Sequence, residues 1–187
     1  MILVLLAGLC LVSVPLSGGS LRRLGELRLR LTWTAPLALA LQVLIVTVAP
    51  DGHRPLHVAA HIASYALIAL FLFANLRQPG VALIGLGAGA NTLAILLNGG
   101  VMPAAATALR MAGLSDHGGF QNSAPVAHPT LLWLGDIIPV PGPLPNTLSV
   151  GDLLIFAGML VFLHMSCGKR SRAGASAPAA AVTSVAR

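Results

Sequence analysis

Apolar residues in this chain fall in unbroken blocks, without the alternation or one-sided stripe expected of a half-buried strand or a surface helix. Five blocks stand out: residues 1–16, 32–49, 55–76, 81–98 and 148–167. Apolar runs of about 18 residues are the mark of helices that cross a bilayer. The joints are short: Asp51-Gly52 follows the second block, Arg77-Gln78-Pro79-Gly80 the third and Gly99-Gly100 the fourth. Glycine after an apolar run ends a helix readily. Pro36 falls in the first turn of the second block, where a missing N–H costs little.

One connection is long. Residues 99–147 are rich in Pro, Gly, Ser and Asn. Within them Pro103 to Leu114 reads as a short interfacial helix. Pro129 to Pro139 is apolar but too short to span, so it reads as a re-entrant or interfacial segment with Trp133 at headgroup level. The expected fold is therefore all-α: an integral membrane bundle of about five transmembrane helices over residues 1–172. The Ala/Ser/Pro-rich stretch 173–187 has no periodicity and reads as a disordered cytoplasmic tail.

Composition agrees. The 187 residues are 56% hydrophobic and 9% charged, against roughly 25% charged in an ordinary soluble domain. A soluble domain this short cannot hide so much apolar surface. The net charge of +6 does not point to nucleic acid, because the basic residues sit in short clusters between apolar blocks. Cys10 and Cys167 fall in the first and last blocks without metal-ligand spacing and read as inert buried thiols.

Charge also orients the chain. No Lys or Arg precedes the first block, while Arg22, Arg23, Arg28 and Arg30 follow it. A secretory signal has the opposite polarity, so the block reads as a retained helix with its N-terminus outside. That orientation puts nine basic residues inside: these four with Arg77, Lys169, Arg170, Arg172 and Arg187. Arg54 and Arg110 alone lie outside. The positive-inside rule favours this arrangement, with the C-terminus in and residues 99–147 out, in a bacterial inner membrane. Trp33 then marks the inner interface.

Ionisable and polar residues at membrane depth are costly, so each is a candidate for function. His53, His57 and His61, spaced four apart, share a slowly turning helix face that Ser64 and Tyr65 extend. Neutral imidazoles bind metals, so His57 and His61 are candidate metal or haem ligands, with Asp116, His117 and His128 as further donors. The simpler reading makes them interfacial or interhelical hydrogen-bonding groups, and no cofactor is expected. Asp136 and Asp152 both map to the outer surface. Two carboxylates held together can share one proton, the chemistry of aspartic peptidases. The simpler reading gives Asp152 a capping box with Ser149 as N-cap, and gives Asp136 a local hydrogen bond. Asn91 and Asn98, seven apart, fit either interhelical hydrogen bonding or contact with a ligand. Gly85 and Gly89 have the small-xxx-small spacing that allows close helix packing.

Three strings resemble those of a known family: Asn98-Gly99-Gly100-Val101-Met102-Pro103, Leu134-Gly135-Asp136-Ile137-Ile138-Pro139 and Ser149-Val150-Gly151-Asp152. They are similar to an uncharacterised family of small bacterial multi-pass membrane proteins, over roughly residues 20 to 167. That resemblance implies a helical membrane fold and no established activity. A weaker likeness is to lipoprotein signal peptidases, in which Asp136 and Asp152 would be the matching aspartates. The chain departs from those in having about five blocks instead of four and in lacking an Asn-x-x-Asp-Arg string.

Three functions follow as expectations. The first is a non-enzymatic membrane subunit, scaffold or lipid-binding accessory, with the lipid bilayer and a membrane-protein partner or a second copy as partners. The second is a membrane-embedded aspartyl hydrolase using Asp136 and Asp152. The third is a metal or haem protein using His57 and His61.

Overall fold

Every apolar block forms one long helix. In the computed structural model, which describes residues 2–48, 54–114 and 123–168, these are α1 (Ile2–Leu16), α2 (Thr34–Val48), α3 (Arg54–Ala74), α4 (Val81–Leu97) and α6 (Val150–Cys167), with a short α5 (Ala106–Ala112) between the last two. Pro36 sits in the first turn of α2. Pro15 lies in the last turn of α1, which ends one residue later. The tail 173–187 lies outside the described residues, as do His53, Asp116 and His117.

The principal packing runs in a row: α2 on α3, α3 on α4, α4 on α6, and α6 on α1. The tightest contact is between α4 and α6, which run antiparallel, and glycine makes it possible. A side chain at Gly87 would strike the backbone of Gly151 and Ile155. One at Gly80 would strike Gly158 and Phe162. These are not the glycines expected from spacing. Nothing lies within 4 Å of a side chain built at Gly85 or Gly89. Gly80 and Gly87 on one side and Gly158 and Gly151 on the other bring the two backbones together at two levels, with the side chains of Ile84, Asn91 and Ile155 filling in beside them, and the Gly85–Gly89 frame faces elsewhere.

Helix α1 lies against the C-terminal half of α6. Cys10, Val14, Leu163 and Cys167 form one buried cluster, so thiols far apart in sequence share a core. Both are free cysteines. Beside them Ser13 Oγ lies 2.9 Å from His164 Nε2. Residues Leu21–Glu26 form a 3-10 turn under this end, from which the Arg23 guanidinium donates to the carbonyls of Cys167 and Gly168. A cation at a helix C-terminus satisfies carbonyls that lack intrahelical partners and complements the helix dipole. Close by, Asn75, which directly follows α3, takes both backbone groups of Arg30: its Nδ2 donates to Arg30 O and its Oδ1 accepts from Arg30 N, each at 2.8 Å.

The opposite end corrects the all-α expectation. There the long connection builds strands β1 (Met102–Pro103), β2 (Ser123–Ala124), β3 (Asp136–Val140) and β4 (Asn146–Ser149). Strands β3 and β4 form an antiparallel hairpin, β1 and β2 pair in parallel, and a bridge from Ala104 to Asp136 links the two pairs. Part of the stretch Pro129 to Pro139 is therefore strand, preceded by a single 3-10 turn at Leu132–Leu134. The cause is local: Ile137, Ile138 and Val140 are β-branched, and Pro139 cannot continue a helix.

By length and composition, α6 can cross a membrane: 18 residues, of which 22% are buried inside the protein. Shorter apolar helical stretches cover Leu5–Leu16, Ile62–Ala74 and Val81–Leu97. Large apolar side chains are exposed along most of the row, among them Leu9, Leu39, Ile62, Phe73, Leu86 and Leu96.

Candidate functional site

The three strings singled out in the sequence meet at one corner, where the hairpin runs into α6. Ser149 ends β4 and is also the N-cap of α6. Its backbone N–H donates to Asp152 Oδ2 at 3.0 Å, and its Oγ accepts from Asp152 N at 3.0 Å. This is the capping box expected from the spacing. Asn91 on α4 closes it into a ring. Asn91 Nδ2 donates to Asp152 Oδ1 at 2.9 Å, and Ser149 Oγ donates to Asn91 Oδ1 at 2.8 Å. Both carboxylate oxygens of Asp152 are thus engaged. Gly151 has no side chain because the Asn91 amide occupies that space.

Asp136 stands across the hairpin from Ser149. It is 7% exposed. Thr147 Oγ1 donates to its Oδ2 at 3.4 Å, and its carbonyl accepts from Ala105 N at 3.0 Å. A register irregularity between Asp136 and Ile138 interrupts the regular pairing. Such bulges re-aim side chains. The preceding Gly135 is required by close approach, since a side chain there would collide with the Pro103 carbonyl. Pro103 is fully buried, and Met102 and Leu134 share a core cluster with Ala94 of α4.

Asn98 does not join the ring. Although it lies seven residues from Asn91, it closes α4 and holds the loop: Nδ2 donates to Ala94 O and Thr130 O, and Oδ1 accepts from Thr130 N at 2.9 Å. Gly99 and Gly100 follow with φ of 71° and 91°, and Gly100 N donates back to Ile95 O. This positive-φ ending is the reason for two consecutive glycines. Of the sites expected from sequence, then, Asn91, Ser149 and Asp152 share one hydrogen-bonded ring, Asp136 abuts it, and Asn98 anchors the loop nearby.

The histidine stripe is placed only in part. His57 and His61 lie on α3, but their side chains are outside the described residues. His128 is exposed. Among the described residues no three His, Cys, Asp or Glu gather as metal ligands.

Four contributors were not anticipated: Thr147, Asn75, Arg23 and His164. Thr147 lies two residues before Ser149, and its role emerges only once β4 pairs with β3. The other three act on partners more than 40 residues away, which no local pattern announces.

A family model described as a family of unknown function (DUF5317) matches residues 26–164. An uncharacterised protein of Thermotoga maritima is 33% identical over 101 residues, which is 53% of this chain and 59% of the relative. The chain thus covers about three fifths of that relative's length. No solved structure matches this chain. All three strings, and the corner they build, lie inside the matched segment, whereas α1 lies before it. The chain belongs to the family of unknown function DUF5317.

Proposed function

We propose that this is a multi-pass inner-membrane protein with its N-terminus outside, acting as a non-enzymatic accessory: a subunit or scaffold that presents its β-capped end outside the membrane. One observation carries the non-enzymatic part of this reading. The polar groups that chemistry would need are engaged in architecture, with both oxygens of Asp152 held by Asn91 and Ser149. The membrane part is supported by the low internal burial of α6 and by apolar side chains exposed on every long helix. A core helix of a soluble protein would be mostly covered. The test is crosslinking in intact cells followed by native purification in mild detergent. A stable partner or a defined oligomer is expected, and recovery of monomer alone contradicts the proposal.

A membrane-embedded hydrolase is the second reading. It is favoured by the pairing of Asp136 with Ser149, which brings a buried carboxylate to the residue that holds Asp152. Its test is covalent capture by a carboxylate-directed peptidase inhibitor, with labelling lost in both Asp136→Asn and Asp152→Asn. An unlabelled wild-type protein argues for the accessory role.

A further inference from the structure

Two asparagines at opposite ends of the helix row make the same bonds. Asn75 Nδ2 donates to Phe71 O, four residues back, and to Arg30 O, while Asn75 Oδ1 accepts from Arg30 N. Asn98 Nδ2 donates to Ala94 O, four residues back, and to Thr130 O, while Asn98 Oδ1 accepts from Thr130 N. Each side chain clasps the backbone N–H and C=O of one residue, as a neighbouring antiparallel strand would.

The clasped segments are also alike. Arg30 precedes Leu31 with φ 54°, and Thr130 precedes Leu131 with φ 53°. Among the described residues these are the two non-glycine positions of positive φ. Each turn closes with the same bond, Thr34 N to Leu31 O and Leu134 N to Leu131 O. Each carries an outward tryptophan followed by a buried residue. Trp33 is 57% exposed with Thr34 at 0%, and Trp133 is 61% exposed with Leu134 at 6%. The clasped residue precedes its asparagine at one end and follows it at the other. A duplicated segment would keep one order, so this is one local solution reached twice.

A leucine in the left-handed region is unfavourable and persists where the surroundings hold it. Here the asparagine holds the residue just before the leucine, and the turn that follows displays indole. Over half of each tryptophan is exposed, so core packing does not account for it. Tryptophan is enriched where apolar chains meet headgroups, on both faces of a bilayer. The spacing suits that use. Helix α4 joins the two ends with 17 residues, about 26 Å at 1.5 Å per residue, close to the roughly 30 Å of hydrocarbon. The ends differ in charge. Arg22, Arg28, Arg30 and Arg77 are exposed at the Trp33 end, while Arg110 is the exposed arginine described at the other. Basic clusters of this kind attract anionic lipid.

We propose that the Asn75 and Asn98 clasps are matched positioning devices that present Trp33 and Trp133 to the headgroup layers of opposite leaflets, the Trp33 end preferring anionic lipid. This rests on the multi-pass membrane reading. The test uses full-length protein in phosphatidylcholine vesicles with and without phosphatidylglycerol, carrying lipids brominated at several depths. The Trp33→Phe and Trp133→Phe variants each leave one tryptophan to follow. Both are expected to be quenched most by shallow bromines, and only Trp33 is expected to respond to phosphatidylglycerol. Asn75→Ala should shift the depth profile of Trp33 alone, and Asn98→Ala that of Trp133 alone. An unchanged depth profile in a folded asparagine variant overturns the clasp assignment, and should Asn75→Ala or Asn98→Ala fail to fold, Asn75→Gln and Asn98→Gln, which displace the amide by one methylene, are expected to give the same selective shifts. Quenching by aqueous iodide instead of bromolipid, or strongest quenching by chain-end bromines, overturns the proposal while the membrane reading stands. Protein that fails to float with vesicles overturns the membrane reading itself, and this proposal with it.

Discussion

Asp136 and Ser149 are the pair that ends the β3–β4 hairpin next to α6, so the residue facing the buried carboxylate is also the N-cap of the last helix. Through Ser149 the sheet, α6 and α4 are joined at one point, because Asn91 and Asp152 complete the ring. The corner is a joint between a helical row and a small sheet, and its chemistry is that of hydrogen bonds which fix geometry.

The capping box should be worth its ordinary amount. Ser149→Ala removes the acceptor for Asp152 N and the donor to Asn91. Caps of this kind contribute about 1 kcal/mol, and a buried group left unpaired costs about 1–3 kcal/mol. A loss near 2 kcal/mol is expected in reversible unfolding in mixed micelles, and a change below about 0.5 kcal/mol would show that the ring bears little of the stability.

The glycine frame separates two predictions. Gly87→Leu and Gly158→Leu place side chains in the α4–α6 contact and should abolish a monodisperse folded peak in size-exclusion chromatography. Gly85→Ala and Gly89→Ala meet open space and should stay within about 0.5 kcal/mol of the parent, or gain slightly from helix propensity. Disruption by the second pair would place the contact on the wrong face.

The legible parts of this fold were the local ones. Long apolar runs announced the helices, and Ser149 with Asp152 three residues on announced the cap. Choosing the glycine face needed the partner. In Gly85-Leu86-Gly87-Ala88-Gly89 the glycines alternate, so several faces are open to close approach, and the positions of Gly151 and Gly158 on α6 decide which is used. The strands were hidden because each is five residues or fewer, and Gly135, just before β3, is held against Pro103, far back in the chain. Asn75 was hidden for the same reason: a lone polar residue at a helix end looks solvated until Arg30 arrives beside it.

Cys10 and Cys167 should behave as inert reporters of the α1–α6 contact. Both are fully buried in one cluster, and thiol reactivity needs access and thiolate. Neither should react with N-ethylmaleimide in the folded protein, and both should react together on denaturation, read by intact mass. Ser13→Ala or His164→Leu, which break the contact beside them, should expose Cys10 first.

Asp136→Asn keeps the shape of the side chain and an oxygen to accept from Thr147. If the corner is architectural, this variant should recover as much crosslinked partner per folded molecule as the parent. A folded Asp136→Asn protein whose partner or phenotype is lost would point back to carboxylate chemistry.

Asn91 and Asp152 act as one structural unit across α4 and α6. A double-mutant cycle with Asn91→Ala, Asp152→Ala and the pair, measured by reversible unfolding in mixed micelles, addresses it directly. A coupling of about 1–2 kcal/mol is expected, since each single change leaves the other group without its partner. Effects that add within about 0.3 kcal/mol would contradict it.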